Sequence, residues 1–176
     1  MSPTGSDSGS VLMVKMLKRI LLLEDIEANA DLIKFSLQAI SGFDVAHASN
    51  ARQAVEMFRT GTYDLCLFDH LMPKMTGLDA MREIRATPEG EQVPIVFLTA
   101  RSDTANWKQL MASGAQAVIA KPFDIMLLGA QLLDVFHACQ ICEINGGIDA
   151  DSGPSWADTP TRSALSRRSA GAYGKF

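Results

Sequence analysis

The chain has 176 residues, of which 47% are hydrophobic and 20% charged, and its formal net charge is −4. This composition is typical of a globular domain, and the acidic balance argues against a nucleic-acid partner. No apolar run approaches the roughly 18 residues of a membrane span, so no membrane partner is expected. The three cysteines are too few for a disulfide scaffold, which favours a reducing, cytoplasmic location.

Two polar ends flank a dense middle. Residues 1–10 offer almost nothing to bury, and the chain from 145 onward is rich in Gly, Ser, Ala, Thr and Pro. Segments of this composition bury too little apolar surface to offset the entropy lost on folding. We therefore expect a flexible N-terminal segment at 1–16, one domain at 17–143 and a flexible tail at 144–176.

The predicted elements alternate strand and helix along the chain. An apolar run at 19–23 predicts the first strand, and the helix after it has one shared face that consists of Leu32, Ile33, Ser36, Leu37 and Ile40. A second strand is predicted at 43–46. The helix that follows begins after Asn50, with Gln53 three residues later in a pattern close to a capping box.

The same alternation continues to the end of the domain. Further strands are predicted at 64–68, 95–98 and 117–120. Helices follow after Gly77, up to Gly114 as a helix stop, and from Asp124 to about Glu143. Short crossovers between five strands predict an α/β fold with a doubly wound, five-stranded parallel sheet and helices on both faces. Two strand orders stay open, and in both a ligand binds beyond the carboxyl ends of the strands.

Polar side chains stand where these strands end. Glu24 and Asp25 follow the first strand, Asp69 the third, Thr99 the fourth and Lys121 the fifth. Each residue alone is commonly a cap or a loop residue. Three neighbouring carboxylates, however, repel one another unless they share a cation, and carboxylate oxygens suit Mg²⁺. A divalent ion and an amine beside a carboxylate favour phosphoryl transfer to Asp69, which would form an acyl phosphate.

Five sequence blocks resemble those of a response-regulator receiver domain, in order and at the family's spacing, over about residues 17–140. The blocks are LLED at 22–25, DLCLFDHLMPKMTG at 64–77, PIVFLTA at 94–100, GA at 114–115 and KPF at 121–123. The resemblance implies a (βα)5 domain with the flavodoxin-like strand order 2-1-3-4-5, of the stand-alone type. It also implies a two-component response regulator that receives a phosphoryl group from a histidine kinase or a histidine phosphotransfer protein. Such a protein catalyses only its own phosphorylation and dephosphorylation.

The resemblance assigns the metal-binding roles residue by residue. Asp69 matches the phosphorylated aspartate, which also contacts the metal. Asp25 matches the direct Mg²⁺ ligand, and Glu24 matches the neighbour that acts through water. The carbonyl of Leu71, two residues after the phosphorylation site, matches the backbone ligand.

The resemblance assigns the phosphoryl-binding roles to Leu71, Thr99, Ala100 and Lys121. Thr99 matches the switch hydroxyl, with the Ala100 amide beside it, and Lys121 matches the lysine that pairs with a phosphoryl oxygen. The Lys121–Pro122 bond resembles one that is cis in the family. Two interpretations of Arg101, two residues after Thr99, stay open. It is either a solvated loop residue or a residue that shields the phosphoryl group from water.

One position departs from the family's pattern. Many receivers carry a rotating aromatic three residues before the lysine, and here that position is Val118. A β-branched side chain has few rotamers and no ring. We therefore expect an altered coupling to the switch hydroxyl, in which the loop between the fourth strand and the fourth helix moves as a whole.

The last helix is apolar on more than one face. A stripe of Leu128, Leu132 and Val135, together with Trp107 and Val118 on the face formed by helix four, strand five and helix five, is a possible partner surface. Two interpretations stay open: the chain's own ends cover the helix, or a homodimer forms through it.

Other functions fit the sequence less well. A flavodoxin-like or nucleotide-binding enzyme needs a glycine-rich turn after the first strand, and 24–29 is acidic without glycine. A phosphate-independent pseudo-receiver binding module has no need of all five site residues. A receiver from a hybrid kinase or a larger regulator stays open. Cys139 and Cys142 lie late in a helix, away from the setting of redox motifs, and strand alternation turns His70 away from Asp69, against metal binding.

Overall fold

The computed structural model describes residues 15–73, 75–100 and 104–144. In this part of the chain, strands and helices alternate as predicted. Their order is β1 (Arg19–Leu23), α1 (Glu27–Lys34) with a π-helical continuation (Phe35–Ile40), β2 (Asp44–Ala48), α2 (Ala51–Thr60), β3 (Leu65–Asp69), α3 (Gly77–Arg85), β4 (Ile95–Ala100), α4 (Thr104–Ala112), β5 (Ala117–Lys121) and α5 (Leu128–Ile144). Each predicted strand overlaps an observed one. The last helix begins later than predicted, after a turn in which the Asp124 carbonyl accepts the N–H groups of Leu127 and Leu128.

All five strands are parallel, in the order β2-β1-β3-β4-β5. The flavodoxin-like order is therefore confirmed over the alternative doubly wound order. In the register of the sheet, Leu23 lies opposite Phe68 and Ala100 lies opposite Lys121. The chain changes direction across the sheet between β1 and β3, which places a crevice beyond the carboxyl ends of these two strands.

The sheet separates two apolar layers. Alternate residues of one strand enter different layers: Leu21 and Leu23 face α2, α3 and α4, whereas Ile20 and Leu22 face α1 and α5. Both faces of the sheet are therefore covered by helices. This is why the strand sequences are apolar at nearly every position rather than alternating with polar residues.

The first helix buries fewer of its apolar positions than predicted. Ile33, Ser36 and Leu37 are buried, but Leu32 is 46% exposed and Ile40 is 37% exposed. Leu32 lies beside the buried stripe rather than on it. The π-helical continuation has more residues per turn than an α-helix, so a pattern read at 3.6 residues per turn loses register before Ile40.

The partner-surface prediction for the stripe on α5 is wrong. Leu128 and Leu132 are 0% exposed and Val135 is 5% exposed, because they pack into the layer between α1 and the sheet. The outer side of α5 instead presents exposed residues such as His137 and Ile141. The apolar stripe is used within this chain to cover one face of the sheet.

The chain just ahead of β1 is tied to α5. The Lys15 N–H donates to Gln140 Oε1 over 3.0 Å, and Gln140 Nε2 donates to the Lys15 carbonyl over 2.6 Å. Leu17 is buried in the same apolar layer as the inner side of α5. These bonds favour the interpretation in which the chain's own N-terminal residues cover part of the helix, although residues 11–14 lie outside the described residues.

The chain divides into two units, Met1–Gly146 and Gly147–Phe176. The second unit holds most of the predicted tail and lies outside the described residues, as does most of the predicted N-terminal segment. Among the helices of the described part, none is both long enough and apolar enough to cross a membrane.

Replacing Leu132 with alanine tests the correction on α5. The change removes buried methyl groups from a side chain that is 0% exposed, so we expect the free energy of unfolding to fall by about 2–5 kcal/mol. Urea denaturation at low protein concentration measures it. His137→Ala on the exposed side of the same helix is the control, with a change below about 0.5 kcal/mol. Equal stability of both variants would show that Leu132 is not part of the core.

The hydrogen bonds around the Asp64 carboxylate predict that the folded protein loses stability in acid. Burial alone would raise the pKa of Asp64, but hydrogen bonds from the Arg19 N–H, the Lys15 ammonium and the Lys18 N–H outweigh it and hold the pKa below 3.8. The ionised carboxylate therefore stabilises the fold above the unfolded-state pKa, and this contribution disappears as the pH falls through the folded-state pKa.

In Asp64→Asn we expect a lower free energy of unfolding at pH 7 and a weaker dependence on pH below about 4. Urea denaturation between pH 3 and pH 7 measures both. Asp31→Asn, which breaks only the exposed ion pair with Lys34, serves as the matched control. An unchanged acid dependence in Asp64→Asn would contradict the assignment.

Candidate functional site

The ends of β1 and β3 bring three carboxylates together. Glu24 and Asp25 directly follow β1, and Asp69 is the last residue of β3; ligand oxygens of all three lie within 4.8 Å of one another. The two strands are neighbours and end at the same level of the sheet. Glu24 is 0% exposed and Asp69 is 5% exposed, so water screens these charges poorly. The acidic cluster predicted at this edge is confirmed.

Lys121 reaches this cluster from the end of β5. Its Nζ lies 3.0 Å from Glu24 Oε2 and 2.9 Å from Asp69 Oδ2. Burial lowers the pKa of Lys121, but the hydrogen bonds and charges of Asp69 and Glu24 outweigh burial and raise it above its ordinary value. The ammonium therefore stays charged. The Lys121–Pro122 peptide bond is cis, as the resemblance implies.

The Asp69 carboxylate is held between opposing influences. Burial raises the pKa of Asp69; the Lys121 ammonium lowers it, and the Glu24 carboxylate raises it again, with a result above the ordinary value. The Leu71 N–H donates to Asp69 Oδ1 over 3.3 Å. One ammonium does not balance three carboxylates, so the cluster keeps an excess of negative charge.

The Asp25 carboxylate has one oxygen whose surroundings indicate a metal site. Its Oδ1 is enclosed, yet it accepts no hydrogen bond from any described residue. A buried carboxylate oxygen without a donor is costly, and a cation would satisfy it. Three carboxylates that offer hard oxygen atoms at such short separations fit Mg²⁺ in both ligand type and charge.

Glu24 is supported by three residues that the sequence did not indicate. Its Oε1 accepts the Ile26 N–H over 3.3 Å and Asn29 Nδ2 over 3.2 Å. His47 on β2 places Nε2 2.9 Å from the Glu24 carbonyl. The spacing of Asn29, five residues after Glu24 and inside the first turns of α1, was the available signal. This spacing indicates a contact only when the start of α1 is known to lie beside the Glu24 carboxylate.

Thr99, to which the resemblance assigns the switch hydroxyl, lies at the same edge of the sheet. Thr99 is 1% exposed in β4, and its Oγ1 makes no hydrogen bond within the described residues. The next residue, Ala100, lies opposite Lys121 in the sheet register. The predicted hydroxyl, amide and amine therefore belong to adjacent strand ends.

Gly77 allows α3 to start directly against the site. A Cβ on this residue would overlap the Asp69 carbonyl oxygen and would lie 3.0 Å from Phe97 Cε1. The helix start is fixed by a capping box in which Thr76 and Asp79 bond each other's backbone N–H groups. Only a residue without a side chain permits this approach.

The family model of the response regulator receiver domain matches residues 20–132. The chain belongs to this family. The receiver domain is a signalling domain of two-component systems rather than an enzyme in the ordinary sense.

Curated relatives of this receiver domain are regulators and sensor proteins. The phosphate regulon transcriptional regulatory protein PhoB of Rhizobium meliloti (strain 1021) is 32% identical over 117 residues, which are 66% of this chain and 51% of PhoB. The aerobic respiration control sensor protein ArcB of Escherichia coli (strain K12) is 36% identical over 114 residues, 64% of this chain and 14% of ArcB. The chain thus spans about half of the length of such regulators.

Solved structures of receivers share the fold. The receiver domain of a sensor histidine kinase from Pseudomonas aeruginosa PAO1, with a magnesium ion coordinated in its active-site cleft, is 31% identical. Its TM-score is 0.61, with coverage of 71% of this chain and 98% of that one. The chemotaxis protein CheY4 of Vibrio cholerae is 25% identical with a TM-score of 0.64, covering 68% of this chain and 99% of that one.

The remaining predicted residues of the receiver lie outside the acidic cluster and differ in their burial. His70 is buried, and its ring lies edge-on to Phe97 at 6.1 Å between centroids, on the α2–α4 side of the sheet, as strand alternation predicts. Val118 is half-buried against the same layer. Trp107 is half-buried, and its indole N–H is enclosed without a partner among the described residues. Arg101 lies outside the described residues.

Gly77→Ala is expected to displace the end of β3. Because the new Cβ overlaps the Asp69 carbonyl oxygen, either α3 or Asp69 must shift, at a cost of about 1–3 kcal/mol in the free energy of unfolding. We also expect weaker beryllofluoride binding. Gly42→Ala is the control: its φ of 75° strains an alanine, but nothing lies within 4 Å of the added Cβ. Similar beryllofluoride affinities in both variants would contradict a role of Gly77 in placing Asp69.

Proposed function

We propose that this receiver accepts a phosphoryl group on Asp69 from a histidine kinase or a histidine phosphotransfer protein. The observation that carries the proposal is the Lys121 ammonium, which lies 2.9 Å from Asp69 Oδ2 within a cluster of three carboxylates, of which Glu24 and Asp69 are buried. A buried nucleophilic carboxylate beside a fixed cation suits a reaction in which negative charge arrives with the phosphoryl group.

In the proposed transfer, an oxygen of Asp69 attacks phosphorus in line, and the bond from phosphorus to the donor's imidazole nitrogen breaks. The imidazole leaves with the electron pair, and an acyl phosphate remains on Asp69. The Lys121 ammonium then pairs with a phosphoryl oxygen. The Thr99 hydroxyl, which lacks a partner among the described residues, and the Ala100 N–H supply further donors.

The metal-binding residues in this proposal are Asp25, Asp69 and the Leu71 carbonyl, with Glu24 acting through water. When bound there, Mg²⁺ neutralises charge on the phosphoryl oxygens. The support for this assignment is the enclosed Asp25 Oδ1, which has no hydrogen-bond donor in the described part of the chain. We propose that the same residues also promote hydrolysis of the acyl phosphate, which ends the signal.

For the output, we propose that phosphorylation shifts a pre-existing equilibrium on the face formed by α4, β5 and α5. Movement of Thr99 towards the phosphoryl group would be passed to the β4–α4 loop, whose residues 101–103 lie outside the described residues. Val118 has no ring to rotate, so this movement passes to the loop and to the half-buried Trp107. A homodimer or another partner would contact the exposed outer side of α5, around His137 and Ile141.

We propose a reducing, cytoplasmic location for this protein, which suits the buried thiol of Cys66.

Phosphorylation of the full chain tests the proposal. After incubation with acetyl phosphate and Mg²⁺, we expect intact-protein mass spectrometry to show one added phosphoryl group on the wild type and none on Asp69→Asn. We expect the mass gain to be greatly reduced by chelation of Mg²⁺ and in Asp25→Asn. Asp44→Asn, which removes a surface carboxylate paired with Arg19, should be phosphorylated like the wild type.

Two outcomes would point to the rival functions. A wild type that gains no phosphoryl group and also ignores beryllofluoride, yet still binds a protein partner, would support a pseudo-receiver binding module. Tight binding of a flavin or a nucleotide, unaffected by Asp69→Asn, would support a flavodoxin-like enzyme.

A further inference from the structure

The carboxylate of Glu24 is held on both oxygens. Oε1 accepts two donors, the Ile26 N–H and Asn29 Nδ2, while Oε2 faces the Lys121 ammonium at 3.0 Å. Glu24 is 0% exposed, so water does not compete freely for these positions. The side chain is therefore fixed in rotation as well as in place.

Of the three donors to Glu24, only the Asn29 amide can be removed by a substitution that leaves the Asp69 contact in place. It stands on α1 (Glu27–Lys34) and reaches back over 3.2 Å to the carboxylate that precedes the helix. The Ile26 N–H is backbone, and Lys121 also serves Asp69. Without the Asn29 amide, Oε1 keeps one backbone donor at 3.3 Å and gains freedom to rotate towards a cation.

A rotated Glu24 carboxylate would affect the binding of Ca²⁺ and Mg²⁺ differently. Ca²⁺ takes about six to eight oxygen ligands and favours bidentate carboxylates, whereas Mg²⁺ needs six ligands in near-octahedral geometry and retains waters. A carboxylate with Oε1 engaged by protein donors cannot chelate in bidentate fashion. It can accept hydrogen bonds from metal-bound water through its other oxygen.

We propose that Asn29 is a positioning residue that makes the acidic site select Mg²⁺ over Ca²⁺, by holding Glu24 Oε1 away from the metal. The inference rests on the proposed function, because it concerns the metal site of that reaction. It adds a residue that stands outside the acidic cluster and the phosphoryl-binding set, and it assigns that residue a role in choosing between two cations.

Isothermal titration calorimetry of the full chain with MgCl₂ and with CaCl₂ separately tests this inference. In Asn29→Ala we expect the ratio of the Ca²⁺ to the Mg²⁺ dissociation constant to fall by about tenfold, as for the loss of an outer partner of a metal ligand. Asn29→Leu, which keeps the branched side-chain shape without the amide, should behave alike. Asn29→Gln, which restores an amide donor, should recover most of the preference.

Lys34→Ala is the matched control, since Lys34 lies on the same helix but pairs with Asp31; its ratio should equal that of the wild type. An unchanged ratio in both Asn29→Ala and Asn29→Leu, with Mg²⁺ still bound, overturns this inference and leaves the proposed function intact. A wild type that binds no Mg²⁺, or binding that survives in Asp25→Asn and Asp69→Asn, overturns the metal site and the inference with it.

Discussion

The contact of one ammonium with two buried carboxylates is the interaction on which the site depends. Lys121 Nζ lies within 3.0 Å of Glu24 and 2.9 Å of Asp69. A buried charge without a partner costs several kcal/mol, roughly, so neither carboxylate would be stable there as an isolated ion. The parallel sheet makes the contact possible, because all of its strands end at one edge. The cis Lys121–Pro122 bond follows immediately after the lysine.

The carboxylates of the site are held by neighbours that lie outside the acidic cluster. Gly77 lets α3 begin against the carbonyl of Asp69, and His47 contacts the carbonyl of Glu24 from β2. Asn29 contacts the Glu24 carboxylate itself. These residues come from three different elements, so the placement of a carboxylate depends on how the helices and strands pack around it. Loss of such support would alter metal binding while every charged residue remains.

Because helices cover both faces of the sheet, few of the described apolar residues of α5 are exposed to partners. The apolar stripe of α5 is consumed within the domain, with Leu132 fully buried, and the chain around Lys15 is tied to the same helix. Among the described residues, outer residues of α5 such as Ile141 and the half-buried Trp107 are still available to a second copy or another protein. Under the proposed function, a signal from Asp69 would reach this face through β4, where the Thr99 hydroxyl makes no hydrogen bond within the described residues.

The alternation of apolar runs and helical patterns was enough to predict the five strands, their parallel arrangement and the edge at which the acidic cluster lies. Asp69 and Lys121 could be assigned because each follows an apolar strand, and strand ends of a parallel sheet meet. The strand order came from the family resemblance, since both doubly wound orders share the same alternation. Periodicity failed beyond α1, where the π-helical continuation Phe35–Ile40 changes the rotation of later residues such as Ile40.

Only the tertiary structure decided which apolar and polar residues face one another. Leu128 and Leu132 on α5 carry the same sequence pattern whether they cover the sheet or a partner, and only packing shows that they are buried here. Asn29 likewise reads as an ordinary helix residue until α1 is placed beside Glu24. Local sequence determines helices and strands through periodicity and turn chemistry. Contacts between elements depend on distances across the chain, which periodicity does not encode.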